Sequence, residues 1–131
     1  MTIDHLSISV PPEDHKKTVG FYLAALAPLG YTRLATYGPN GEVVGLGADN
    51  HADCWIVAVP GAADKLGVHL AFRTADRKAV DAFHAAAIGA GAEDNGAPGP
   101  RPMYHEHYYA AFVRDPVGNN LEVVCTVPPA A

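Results

Sequence analysis

The sequence predicts an α+β fold built from two βαβββ modules. Three observations carry this: a repeated strand opening, a repeated amphipathic segment, and a turn that leads into a final strand. The first opening is His5-Leu6-Ser7-Ile8-Ser9-Val10 and the second is His69-Leu70-Ala71-Phe72-Arg73-Thr74. Side chains alternate faces along a strand, so His5, Ser7 and Ser9 share one face and Leu6, Ile8 and Val10 the other. The same count groups His69, Ala71 and Arg73 opposite Leu70 and Phe72. Internal self-similarity of this kind constrains the whole fold.

The repeat continues beyond the strands. A polar opening, Glu13–Lys17, precedes Phe21–Leu26, and the tract closes near Gly30; Asp76–Lys78 precedes Phe83–Ile88, which closes near Gly91. Val19, Tyr22, Leu23 and Leu26 follow helical spacing, and Val80, Phe83 and Ala87 form a narrower stripe. Acidic residues at the start and glycine past the end mark the helix termini. Strand-like runs follow at Tyr31–Tyr37, Val43–Ala48 and Cys54–Val59, with a turn at Pro39-Asn40-Gly41. After the second helix come Tyr108–Arg114 and Asn119–Val127, and a weaker strand signal at Ala92–Asp94. Asp115-Pro116-Val117-Gly118 suits a type I turn between the clear pair. The chain therefore reads as one domain, 1–131, with module one at about 1–61 and module two at about 65–128, joined at Gly61–Asp64.

Glu122 lies in the last strand, on the face opposite Leu121 and Val123. With His5 and His69 it makes two imidazoles and one carboxylate on strand faces otherwise lined by small or polar groups. Such a triad suits Fe, Mn, Ni or Zn and leaves coordination positions open for substrate. Taken singly, each histidine also fits a polar residue near a sheet edge, and Glu122 fits a solvent face. The repeat favours the metal cup.

Paired βαβββ modules, histidines opening both first strands, and Asp115-Pro116-Val117-Gly118-Asn119 leading to Leu121-Glu122-Val123 resemble the vicinal oxygen chelate superfamily. That group includes glyoxalase I, extradiol dioxygenases, fosfomycin-resistance enzymes and bleomycin-binding proteins. The resemblance covers nearly the whole chain, and Tyr108–Glu122 is its most specific tract, similar to a glyoxalase-like subgroup. It implies curved mixed sheets forming a cup around a divalent metal held by His5, His69 and Glu122. It also implies a homodimer, with modules paired within one chain or across two.

The departures narrow the chemistry. Glyoxalase I adds a fourth ligand in the last strand of module one, where Cys54–Val59 offers no carboxylate; His51 and Asp53 precede that run, out of register unless the strand is shifted. The tail Cys125–Ala131 lacks the cation that a phosphonate-binding thiol transferase needs. Two function classes stay open. One is a metalloenzyme, whether lyase or isomerase, dioxygenase or thiol transferase, acting on a small oxygen-chelating substrate. There Glu122 is mainly a ligand that can detach as a base, and Tyr109 or His107 assists as hydrogen-bond donor or acid. The other is a metal-free binding or sequestration protein of the bleomycin-resistance type.

The stretch Asn95–His107 is rich in proline and glycine, which argues against a regular helix or central strand. Long loops of this kind are often lids. Tyr104 and His105 are its substrate-contact candidates, to which Arg73 and Trp55 are added. His105-Glu106-His107 is an alternative metal site, and Arg101 a second anion contact beside Arg73. Composition narrows the partners. Fourteen acidic residues against nine Lys and Arg, net −5, argue against nucleic acid. No apolar run reaches membrane-spanning length. A strand opening within three residues of the start leaves no room for a signal peptide, so a cytoplasmic location is expected. Cys54 and Cys125 are too few and too far apart for a disulfide framework and read as buried reduced thiols, with Cys54 also a candidate to line the cup.

Overall fold

A computed structural model describes residues 3–65 and 67–129, and it shows two four-stranded mixed sheets with one helix packed on each. The first module runs β1 (Leu6–Val10), α1 (Pro12–Leu26), a short 3-10 turn at Ala27–Leu29, then β2 (Thr32–Tyr37), β3 (Val43–Ala48) and β4 (His51–Ala58). The second runs β5 (His69–Arg73), α2 (Arg77–Gly89), β6 (Glu93–Pro100), β7 (Tyr109–Arg114) and β8 (Asn120–Cys125). The sheets share one permutation, β1-β4-β3-β2 and β5-β8-β7-β6, with the first pair parallel and the rest antiparallel. The α+β expectation and the paired modules hold. The expected strand onset at the first three residues falls partly outside the described residues; the described strand starts at Leu6.

Helix termini follow the sequence signals. Pro12 occupies the first turn of α1, where its missing N–H costs nothing, followed by Glu13 and Asp14. Asp76 caps α2 by accepting from the Lys78 amide at 2.9 Å. The glycines past both helices, Gly30 and Gly91, adopt positive φ. The apolar stripes do what their spacing requires: Val19, Tyr22 and Leu26 of α1 and Val80, Phe83 and Ala87 of α2 are buried. They pack against Ile8, Val10, Leu46 and Ile56 of one sheet and Val113, Leu121 and Val123 of the other. Each large side chain buried this way contributes about 1.5–3 kcal/mol. Helices cover one face of each sheet, and the other face stays open. Cys54 belongs to the covered face and is fully buried; burial first, then Asp53 and Asp115, pushes its thiol up to about 12. It packs, and does not line a cup.

Two elements differ from expectation. β6 runs from Glu93 to Pro100, so the first six residues of the expected loop, Asn95–Pro100, form a strand. Its glycines and prolines are tolerated because β6 is the sheet edge and its register slips twice against β7. β4 begins at His51, earlier than its apolar run suggests. Leu46 pairs with Cys54 but Gly47 pairs with Ala52, so Asp53 is the extra residue of a bulge. Its carboxylate accepts from the Tyr31 hydroxyl. The bulge needs Gly47, because a Cβ there would lie 1.9 Å from the His51 carbonyl oxygen. Backbone cannot step aside as a side chain can. Gly47→Ala is therefore expected to cost about 2–3 kcal/mol, read as a lower urea midpoint at unchanged m-value.

Among the described residues, no helix is long and apolar enough to cross a membrane.

Candidate functional site

Parallel pairing of β5 with β8 sets His69 beside Asn120 and Ala71 beside Glu122, on the open face of the second sheet. β7 adds Phe112 opposite Glu122. The Glu122 side chain is therefore walled by neighbours, and only 2% of the residue is exposed. A buried carboxylate is costly unless its lone pairs are satisfied. Here the His69 Nε2–H donates to Oε1 at 2.9 Å, and the Tyr108 hydroxyl donates a short hydrogen bond to Oε2. The Asn120 amide donates to His69 Nδ1 at 2.7 Å, which fixes the ring proton on Nε2. Burial, and then the bond and charge of Glu122, push the Tyr108 hydroxyl up to about 12. It keeps its proton at neutral pH and acts as a donor.

His5 stands elsewhere. It precedes β1 on the open face of the first sheet, more than half exposed, and its Nδ1–H donates to Asp4 Oδ1 at 2.7 Å. That bond holds the Asp4 carboxyl below the usual carboxylate range and leaves His5 Nε2 bare. His51 donates from Nε2 to the Asp4 carbonyl oxygen at 3.0 Å. Asp4, His5, His51, Leu34, Tyr37 and Trp55 line a cavity of about 440 Å³. The described residues contain no cluster of three His, Cys, Asp or Glu able to hold a metal. The expected convergence of His5, His69 and Glu122 on one cavity is thus not met within a single chain. His69 and Glu122 meet; His5 lies on the other sheet.

The remaining candidates divide by face. Tyr109 points to the helix side, where its hydroxyl donates to Asp81 at 2.7 Å and Arg77 lies over its ring at 4.9 Å. It is not beside Glu122; the neighbouring Tyr108 is. Tyr104 rests edge-on against Tyr108, with ring centroids 5.2 Å apart, at the rim of the carboxylate site. His105 and His107 rings lie 5.8 Å apart, and the His105 Nδ1 accepts from the His107 amide, which occupies one of the nitrogens a metal would need. Arg101 turns back onto the carbonyls of Ala97 and Gly99 and covers Phe112, so it is not free for an anion. Arg73 lines a separate cleft of about 580 Å³ between the modules, with Tyr31, Asp49, Asp53 and Asp76. Trp55 belongs to the His5 cavity.

The profile of the glyoxalase-like domain family matches residues 7–124. The chain belongs to the glyoxalase-like domain family. Solved structures agree on the fold. A glyoxalase/bleomycin resistance protein from Albidiferax ferrireducens T118 is 27% identical, with a TM-score of 0.69 over 94% of this chain and 97% of that one. A glyoxylase/bleomycin resistance protein/dioxygenase domain from Frankia sp. EAN1pec reaches a TM-score of 0.73 at 17% identity, over 95% and 97%. A lactoylglutathione lyase from Agrobacterium tumefaciens gives 0.62 at 16%, over 91% and 90%. No curated protein matches the chain.

In this glyoxalase-like chain the tract Asp115–Asn119 builds the fold. The buried Asp115 carboxylate accepts from the Tyr22 hydroxyl at 2.5 Å, the Asn119 side chain and amide at 2.8 Å each, and the Val117 amide at 3.0 Å. Asn119 Oδ1 in turn accepts from the Val68 amide. The sequence reading missed Tyr108, Asn120 and Asp4. Parity offered a signal for Asn120, which lies two residues before Glu122 on the same strand. Tyr108 shares the face of Phe112, and only the pairing of Phe112 with Glu122 brings it to the carboxylate. Asp4 offered none.

Proposed function

We propose that the protein is an enzyme acting on a small substrate with adjacent oxygens, at a divalent metal held by His69 and Glu122 of one chain and His5 of a second copy. The single observation that supports this is the His69–Glu122 pair. Two ligands bonded at 2.0–2.2 Å and set at right angles on one ion lie about 3 Å apart, and Nε2 and Oε1 are 2.9 Å apart. An imidazole and a carboxylate suit the metals expected. A divalent ion there would supply Lewis acidity toward a chelated carbonyl or enolate.

The chain's own residues prepare that site. To ligate, His69 must bare Nε2 and carry its proton on Nδ1. Half a turn of the Asn120 amide, with Asn95 turning alongside, presents an oxygen to that proton, so one side chain serves both tautomers. Tyr108 keeps donating to Oε2 and holds the Glu122 plane. On the first sheet, Asp4 holds the Nδ1 proton of His5 and leaves Nε2 as the donor atom. Each half is oriented by a neighbour, and among the described residues neither half by itself gathers three side chains able to hold a metal ion.

Complementation tests the cross-chain reading. Neither His5→Ala nor Glu122→Gln is expected to retain stoichiometric Zn after reconstitution and gel filtration. When the two are co-expressed, half the dimers are mixed and each carries one intact site. Metal content should then return to roughly a quarter of wild type. No recovery would rule out sharing between chains. Full metal content in His5→Ala would remove His5 from the set. If wild type retains no metal either, the metal-free binding protein takes its place.

A further inference from the structure

The open face of the first sheet carries an arrangement that the metal reading does not use. Pairing registers Ser7, Trp55, Gly45 and Ala35 in one row across β1, β4, β3 and β2. The next row is Ser9, Val57, Val43 and Tyr37. Trp55 is thus flanked by Ser7 and Gly45, with Ala35 beyond, and its six-membered ring lies on Gly45. A Cβ at Gly45 would stand 2.6–2.9 Å from Cζ3, Cη2 and Cε3. Tyr37 adds a second ring, nearly parallel at 20° with centroids 5.9 Å apart, and stays 61% exposed.

A sheet face that only meets solvent alternates polar or charged residues with the buried set. These two rows contain no charged residue and two wide aromatic rings, one of them seated by a glycine. The same 440 Å³ cavity holds Tyr37, Trp55 and His5. We propose that Trp55 and Tyr37 form a stacking platform for a planar aromatic ring of the ligand, so that the substrate class is an aromatic compound with oxygens directed toward His5. The direction of the oxygens rests on the metal reading above; the ring preference does not. Aromatic rings favour offset stacking at such spacings, and a flat saturated floor would not distinguish them from other apolar groups.

Trp55 is the chain's one tryptophan, so its indole N–H gives a single assignable NMR signal. The test titrates full-length protein with salicylate, and separately with cis-2-hydroxycyclohexanecarboxylate, which has the same oxygens and a saturated ring. Both titrations are run on protein stripped of metal and on protein reconstituted with Zn. Salicylate is expected to move the indole signal and to bind roughly 3- to 10-fold more tightly than its saturated partner in both preparations. Tyr37→Ala should remove most of that preference, and because Tyr37 is exposed the variant should fold. Trp55→Leu should remove the rest. Equal affinity of the two probes overturns the proposal. So does an indole signal that moves with protein concentration and ignores both probes, since a second chain would then cover the platform. A ring preference that persists in stripped protein while Zn fails to bind upholds the platform and sinks only the metal reading.

Discussion

Asp115→Ala should lower the melting temperature by more than about 10 °C. The carboxylate is buried and accepts from four donors: the Tyr22 hydroxyl, two backbone amides and the Asn119 side chain. Tyr22 comes from the first module's helix and the rest from the second module's β7–β8 turn, so one side chain ties the halves together. Alanine leaves these donors buried without a partner, at about 1–3 kcal/mol each before relaxation. A net loss of about 3–5 kcal/mol follows, a large share of the stability of a domain this size. Tyr22→Phe removes one donor only and should cost about 1.5–3 kcal/mol, the range for a bond to a charged acceptor. Burial, then Asp115, hold the Tyr22 hydroxyl well above its ordinary range, so it donates across the accessible pH range. Calorimetry of both variants checks the ranking. A loss below about 1 kcal/mol for Asp115→Ala would show that the network is not the tie between modules.

Glu122→Gln should weaken metal binding at least 100-fold, beyond the 10–100-fold typical of residues that only orient a ligand. The fold should survive. Glutamine keeps an oxygen for the Tyr108 hydroxyl and offers an amide N–H₂ to His69, whose ring can shift its proton to Nδ1. Stability should fall by no more than about 1.5 kcal/mol. A second readout needs no metal. The Glu122 bond and charge raise the Tyr108 hydroxyl after burial does, so removing the charge should lower its titration from about 12 toward the ordinary 10. The sign is fixed. A tyrosine whose folded pKa is raised stabilises the fold below its unfolded pKa and loses that contribution as pH climbs past it. Wild type should therefore lose stability more steeply than Glu122→Gln above about pH 10. Urea unfolding of both proteins at pH values on either side of 10 measures it, and ultraviolet titration follows the tyrosine ionisation itself. Unchanged Tyr108 titration would mean that Glu122 does not govern the hydroxyl.

Much of this architecture was legible locally. The His5 and His69 strand openings, the Val80-Phe83-Ala87 stripe and the Asp115–Gly118 turn follow from residue spacing, because helix and strand periods are properties of the backbone itself. The Gly118 amide does bond the Asp115 carbonyl, as the turn requires. β6 was less legible. Proline and glycine argue against a strand in general, and only its place at the sheet edge lets Asn95–Pro100, with two glycines and two prolines, continue as a strand.

The site divides along the same line. The chain by itself determined that His69 and Glu122 would stand on one face, since parity and the order of modules require it. It also determined the apolar face that closes each sheet against its helix. Tertiary structure alone decided that Tyr108, and not Tyr109, meets the carboxylate. The two are adjacent in sequence, and which of them faces Glu122 depends on the register of β7 against β8. It also decided that His5 lies apart from the pair it resembles by repeat. A repeat states that two strands are alike, whereas the distance between them is set by how the sheets pack, through contacts such as Tyr22 with Asp115 that no local pattern encodes.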